Sequence, residues 1–166
     1  MSMSTWHNYG YGINTRKIST DEEKLKAFIE SQPRVKTKII EWEKQENSNC
    51  SGDTEAEAAF YDNSARDLCD LYETYGENDD VDGFAGLVHM LLAASTDLPL
   101  IVCRDYNTDD CYVLAAPRYP WDMTETYSKI KSSDELKTVF EKSITMLTDQ
   151  TLDELDWDYH NIAGWS

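Results

Sequence analysis

Three runs of this sequence set carboxylates among aromatic side chains: Tyr72-Glu73-Thr74-Tyr75-Gly76-Glu77-Asn78-Asp79-Asp80, Arg104-Asp105-Tyr106-Asn107-Thr108-Asp109-Asp110 and Asp156-Trp157-Asp158-Tyr159. Carboxylates offer charge complementarity and fast association to a surface of Lys and Arg, while Tyr and Trp supply contact area. Glu73, Glu77, Asp79, Asp80, Asp82, Asp105, Tyr106, Asp109 and Asp110 are therefore the candidate partner-binding residues. The same composition arises when the aromatics point into a core and the acids solvate the opposite face, a reading that suits Trp157 and Tyr159 better.

Other chemistries fail on residue type or spacing. Asn78-Asp79-Asp80-Val81-Asp82-Gly83 resembles the start of a calcium loop, but the first ligand is Asn and the twelfth position falls on His89 in place of the closing Glu. Gly10-Tyr11-Gly12 lacks the third glycine and the following helix of a dinucleotide loop, and no Gly-Lys-Ser/Thr loop is present to cradle phosphates. The histidines His7, His89 and His160 are far apart, without a Cys-x-x-Cys or His-Glu-x-x-His motif, so a metal site would need tertiary assembly. His89, within an apolar helix, reads as a satisfied core or helix-face side chain, whereas His7 and His160 lie on terminal strands that could be neighbours. Cys69 lies among acids and Cys103 and Cys111 in strands, where burial and negative neighbours raise thiol pKa values and suppress nucleophilicity. No cofactor and no metal is expected.

The formal charge of −17 is regional. Residues 1–49 hold eight Lys or Arg against seven Asp or Glu, residues 50–115 two against fifteen, and residues 116–166 five against ten, giving +1, −13 and −5. Such a field repels nucleic acid and anionic lipid and attracts a basic partner. It is also what keeps a protein soluble. No stretch approaches the roughly 20 apolar residues of a membrane span, and the first residues lack a secretory pattern. The expected location is the cytoplasm of the cell that makes it. The irregularly spaced cysteines Cys50, Cys69, Cys103 and Cys111 then read as free thiols, Cys103 and Cys111 being the one pair that a hairpin could join.

These residues must be positioned by short elements. Residues 6–13 alternate as a strand with His7, Tyr9, Tyr11 and Ile13 on one face. Thr20-Asp21-Glu22-Glu23 caps a helix bearing Leu25, Phe28 and Ile29 that stops at Gln32-Pro33. Val35, Ile39, Ile40 and Trp42 fit a second helix, with a strand as rival. Thr54-Glu55-Ala56-Glu57 opens one long amphipathic stretch to Tyr75, and Phe84 to about Ser95 forms the central apolar helix. Residues 98–103 and 111–115 pair as strands, closed by Pro117 and Pro120; Ser132 begins a helix carrying Leu136, Val139, Phe140, Ile144 and Leu147. A strand from Leu155 to His160 ends the pattern. The order implies one α+β domain over 1–166, in which a small, mainly antiparallel sheet of N-terminal strand, central hairpin and C-terminal strand packs on four to five helices.

Ser4-Thr5-Trp6-His7-Asn8-Tyr9-Gly10-Tyr11-Gly12-Ile13, Pro117-Arg118-Tyr119-Pro120-Trp121 and the closing Asp-x-Asp-Tyr look like small uncharacterised proteins of Gram-positive gut bacteria and their phages, a resemblance that implies no known chemistry. By size and acidity alone the chain is similar to anti-CRISPR inhibitors, some of which mimic DNA. That likeness implies a basic nucleic-acid-binding protein, such as a CRISPR nuclease, as partner, with no direct contact to nucleic acid or membrane. The alternatives are a regulatory subunit, or an enzyme with a tertiary-assembled site of His7 or His160 beside a carboxylate or thiol.

Overall fold

Two glycines let the first strand lie close against its neighbour. The computed structural model describes residues 5–47, 52–116, 121, 123–130 and 132–165; Cys50 and the Pro117-to-Pro120 segment lie outside them. In β1 (Thr5–Asn14), a Cβ on Gly12 would stand 1.9 Å from the Val113 carbonyl oxygen, and Gly10 has a φ of 153°. Neither position tolerates a larger residue without displacement of backbone. On the opposite face of this strand Ile13 is buried and Tyr11 packs on the core, while Tyr9 is 45% exposed.

The helices follow their caps. α1 (Glu22–Glu30) is capped by Asp21, whose carboxylate accepts the Lys24 N–H at 2.7 Å, and not by the preceding Thr20. Pro33 ends that helix and occupies the first turn of α2 (Pro33–Glu46), where its missing N–H costs nothing. α2 turns Val35, Ile39 and Trp42 inward, so the helix prevails over the rival strand. The stretch from Thr54 to Tyr75 is two helices, α3 (Asp53–Asp62) and α4 (Ala65–Tyr75). The capping box sits at the break: the Ser64 hydroxyl accepts the Asp67 N–H at 3.2 Å and the Asp67 carboxylate accepts the Ser64 N–H at 2.9 Å. Thr54 is merely a first-turn residue of α3, behind Gly52.

α5 (Gly83–Thr96) is the central helix, buried over most of its length and in contact with α2, α4, α7, β2 and β3. After the hairpin β2 (Ile101–Arg104) and β3 (Cys111–Ala115) come a short unforeseen helix, α6 (Glu125–Lys129), then α7 (Ser133–Ile144), capped by Ser132 as its sequence implies. The last strand, β4 (Asp158–Trp165), starts later than alternation suggests. A 3-10 turn over Asp153–Leu155 and a left-handed Asp156 (φ 59°) intervene. Trp157 still packs inward, with ring centroids 6.0 Å from Tyr11 and 4.9 Å from Phe140.

The four strands form an antiparallel sheet in the order β2-β3-β1-β4, an α+β arrangement with seven helices among the described residues. One face, with Val102, Val113 and Ile13, joins a core that draws on residues from Ile13 to Leu155. The other carries a small second cluster of Cys103, Tyr112, Leu114 and Ile162. Register places Cys103 opposite Tyr112 and Cys111 opposite Arg104, so the two cysteines project to different faces. Both are free thiols, as is Cys69. No helix among the described residues is long and apolar enough to cross a membrane.

Candidate protein-binding surface

The turn between α4 and α5 and the loop between β2 and β3 are separated by more than twenty residues, and the fold ties them together. The Asn78 carboxamide donates to the Val102 carbonyl at 3.2 Å, fixing the turn to β2, while its oxygen accepts the Asp80 N–H at 3.0 Å. The Tyr106 hydroxyl donates a hydrogen bond to the Asp80 carboxylate. This bond is also what raises the tyrosine pKa above its ordinary value.

The hairpin loop holds its own shape. Asp105 N–H donates to the Asp110 carbonyl at 2.8 Å, Asp109 N–H to the Asp105 carbonyl at 2.7 Å, and the Asp105 carboxylate accepts the Asn107 N–H at 2.9 Å. Asp109 takes a left-handed conformation (φ 65°), which Asp tolerates better than most residues. Its carboxylate meets Arg104, whose Nε lies 2.7 Å away, and Arg16 at 3.8 Å. The Arg104 guanidinium in turn lies 5.3 Å from the centre of the Tyr106 ring.

Five of the nine sequence-derived candidates, Glu73, Asp79, Asp80, Asp82 and Asp109, line one open recess of about 340 Å³, together with Arg16 and Arg104. Tyr106 reaches its edge through Asp80, and Asp105 and Asp110 form the neck of the loop. Two of the recess carboxylates also hold the start of α5. Asp82 caps α5 by accepting the Ala85 N–H at 2.9 Å, and Glu73 accepts the Gly83 N–H at 3.1 Å. The recess is anionic but not uniformly so, because Arg16 and Arg104 come from β1's following turn and from β2. No group of three or more His, Cys, Asp or Glu among the described residues is placed to hold a metal ion.

The ninth candidate, Glu77, opens on a different cavity of about 270 Å³ beside the acidic turn. Its apolar lining includes Trp42, Tyr72, Met90, Leu100 and Val102, contributed by α2, α4, α5 and the start of the hairpin. Trp42 and Tyr72 meet edge to face, with centroids 5.9 Å apart. At the rim, Lys38 Nζ lies 3.0 Å from Glu77 Oε1. His89 also lines the cavity and contacts the Leu100 carbonyl through Nε2 at 2.9 Å; burial pulls its pKa below the usual histidine value. A carbonyl can only accept, so the neutral ring carries its proton on Nε2. Sequence reasoning missed this cavity, since residues from four elements form it and no local spacing marks them.

The remaining candidates for chemistry have other neighbours. His7 Nδ1 meets the Asn161 side chain at 2.9 Å; His160 packs its ring 4.7 Å from that of Tyr112 and meets the Asp156 carbonyl at 2.7 Å. β1 and β4 are adjacent, but Gly10 stands opposite His160 and Ala163 opposite His7. Burial, reinforced by acidic neighbours, pushes the thiols of Cys69 and Cys111 up to about 11 and that of Cys103 up to about 12. Of the third acidic run, Trp157 is packed, Tyr159 is 50% exposed against Tyr9 and Tyr11, and Asp156 pairs with Lys17 at 2.9 Å.

The fold and this surface define a small α+β protein whose anionic loops sit at one end of a hairpin. No family model, curated protein or solved structure matches the chain.

Proposed function

We propose that this protein is a non-enzymatic binder that sets the acidic turn and hairpin loop against a basic nucleic-acid-binding protein. The observation that carries the reading is the Tyr106–Asp80 tether, which joins carboxylates of Glu73 to Asp82 and of Asp105 to Asp110 into one surface. Internal hydrogen bonds hold the loop in place, which reduces the ordering cost of docking. Tyr106, 46% exposed and braced by Arg104, supplies contact area at the edge of the anionic recess. The nucleic-acid channel of a nuclease, a CRISPR nuclease of a bacterial host among them, is a basic surface of the required kind. In size and acidity the chain is similar to phage-encoded inhibitors of such enzymes, and the cytoplasm is where it would meet one.

The test is direct binding to a panel of basic nucleic-acid-binding proteins that includes guide-loaded CRISPR nucleases, at about 50 and 300 mM salt, with and without DNA competitor. One member should bind at low salt, lose affinity at high salt and be displaced by DNA. The variant Asp79→Asn, Asp80→Asn, Asp82→Ser removes three charges while Ser preserves the α5 cap. It should slow association about tenfold or more and flatten the salt dependence. Binding that this triple change leaves untouched would overturn the assignment.

A further inference from the structure

We infer that the cavity beside Glu77 is the seat for an arginine side chain of the basic partner, the anchor around which the acidic surface docks. The inference rests on the proposed function for the source of the arginine, and on the cavity itself for the choice of side chain.

The volume of about 270 Å³ suits one long side chain and not a second folded element. Its lining is mainly apolar and aromatic, through Trp42, Tyr72, Leu100 and Val102, with Asn78 and His89 as polar members and the Glu77 carboxylate at the exposed rim. An arginine meets both demands: its three methylenes lie on apolar surface while its planar guanidinium reaches an aromatic ring and a carboxylate together. Lysine carries a compact, strongly hydrated charge that loses more on entering such a site and cannot stack. Neutral His89 adds no opposing positive charge. Lys38, the one cation among the described residues of the lining, holds Glu77 in an exposed pair, with side chains 43% and 86% accessible. Such pairs contribute little, so an incoming guanidinium with bidentate geometry can take its place. Glu77 also begins the acidic turn, which makes the cavity continuous with the proposed surface.

Titration of the isotope-labelled protein with N-acetyl-arginine amide, followed by NMR, tests this without any partner. Saturable shifts should concentrate at the Trp42 indole N–H and at the amides of Met90 and Val102, with affinity near millimolar. The Glu77→Gln variant should weaken this binding up to about fivefold, and Lys38→Met, which keeps the aliphatic stem, should strengthen it by a similar factor. Met90→Trp, which fills the cavity, should abolish it; the two rim variants lie on the surface and keep the experiment decisive if that core change unfolds the protein. Equal response to N-acetyl-lysine amide, a stronger response to indole, or shifts confined to the acidic loops would each overturn the inference. A partner whose binding depends on Asp79 and Asp80 but ignores Met90→Trp would overturn it while leaving the acidic surface intact. Specific arginine uptake with no basic partner in the panel would instead count against the proposed function alone.

Discussion

Glu43 is a carboxylate on the inward side of α2, 4% exposed, with the Asn63 carboxamide donating to it across the α3–α4 break. Burial raises its pKa, against the lowering effect of Asn63, and Asp67 and Glu46 raise it further. A raised folded-state value means the native protein binds more protons than the unfolded chain between the ordinary carboxylate pKa and the folded one. This residue's contribution to stability therefore falls as pH rises through that window. Glu43→Gln keeps the acceptor for Asn63 and removes the charge, so it should stabilise the protein at pH 7 by about 1 kcal/mol. The gain should shrink as pH falls toward about 4.5, and urea unfolding at both pH values measures it. The thiols give a second test. With pKa values near 11 to 12, Cys69, Cys103 and Cys111 should react with iodoacetamide at pH 8 far more slowly in the native protein than in denaturant, read by peptide mass spectrometry. The sequence revealed these carboxylates and cysteines as types in a charged setting. It did not reveal that Asp82 caps α5 or that Glu73 holds Gly83, because both depend on which helix end the chain brings back.

Elements with one clear apolar period were legible: α5, α7 and β3 lie where that period places them, α7 behind its expected cap Ser132, whereas α1 begins one residue later, behind Asp21, and β2 begins at Ile101 and not at Leu98. The α3–α4 break was hidden because Tyr61, Ala65, Leu68 and Tyr72 keep a helical spacing straight across Asn63-Ser64, and a second capping signal at Thr54 drew the start elsewhere. Ser64→Ala tests the box that makes the break: it should cost about 1 kcal/mol, in thermal or urea unfolding. The start of β4 failed for a related reason, since alternation at Leu155 to His160 cannot register the left-handed Asp156. The α4–α5 contact supplies the sharper prediction. In an exposed helix Gly→Ala stabilises by roughly 1 kcal/mol. At Gly86, however, a Cβ would lie 2.0 Å from the ring of Tyr72, which is itself buried against Trp42. Overpacking against a ring that cannot rotate away should reverse the sign, so Gly86→Ala should destabilise by about 2 kcal/mol or more. Since Tyr72 also lines the cavity at Glu77, the same variant should broaden the Trp42 indole N–H resonance.

At the scale of the whole molecule, a formal charge of −17 opposes folding through self-repulsion, and most of it, −13, falls in residues 50–115. The ten ion pairs among the described residues draw their Lys and Arg mainly from outside that region, as with Lys36 to Glu57, Lys38 to Glu77 and Lys44 to Asp53. The near-neutral N-terminal segment thus partly offsets the acidic middle within the fold, which a segment-by-segment count could not show. Among the described residues, Arg16 and Arg104 are the cations that line the recess with its acids. Salt should therefore raise the melting temperature between about 20 and 300 mM sodium chloride, because screening relieves repulsion more than it weakens exposed pairs. The Asp79→Asn, Asp80→Asn, Asp82→Ser variant should melt higher than wild type at low salt, and that advantage should narrow at high salt. If the carboxylates served only to solvate one face, this stabilisation would be the whole effect. If they form a docking surface, the more stable variant should also associate more slowly with its basic partner. Calorimetry and stopped-flow association on one preparation separate the two, with a stabilised protein that binds at the wild-type rate excluding the docking role.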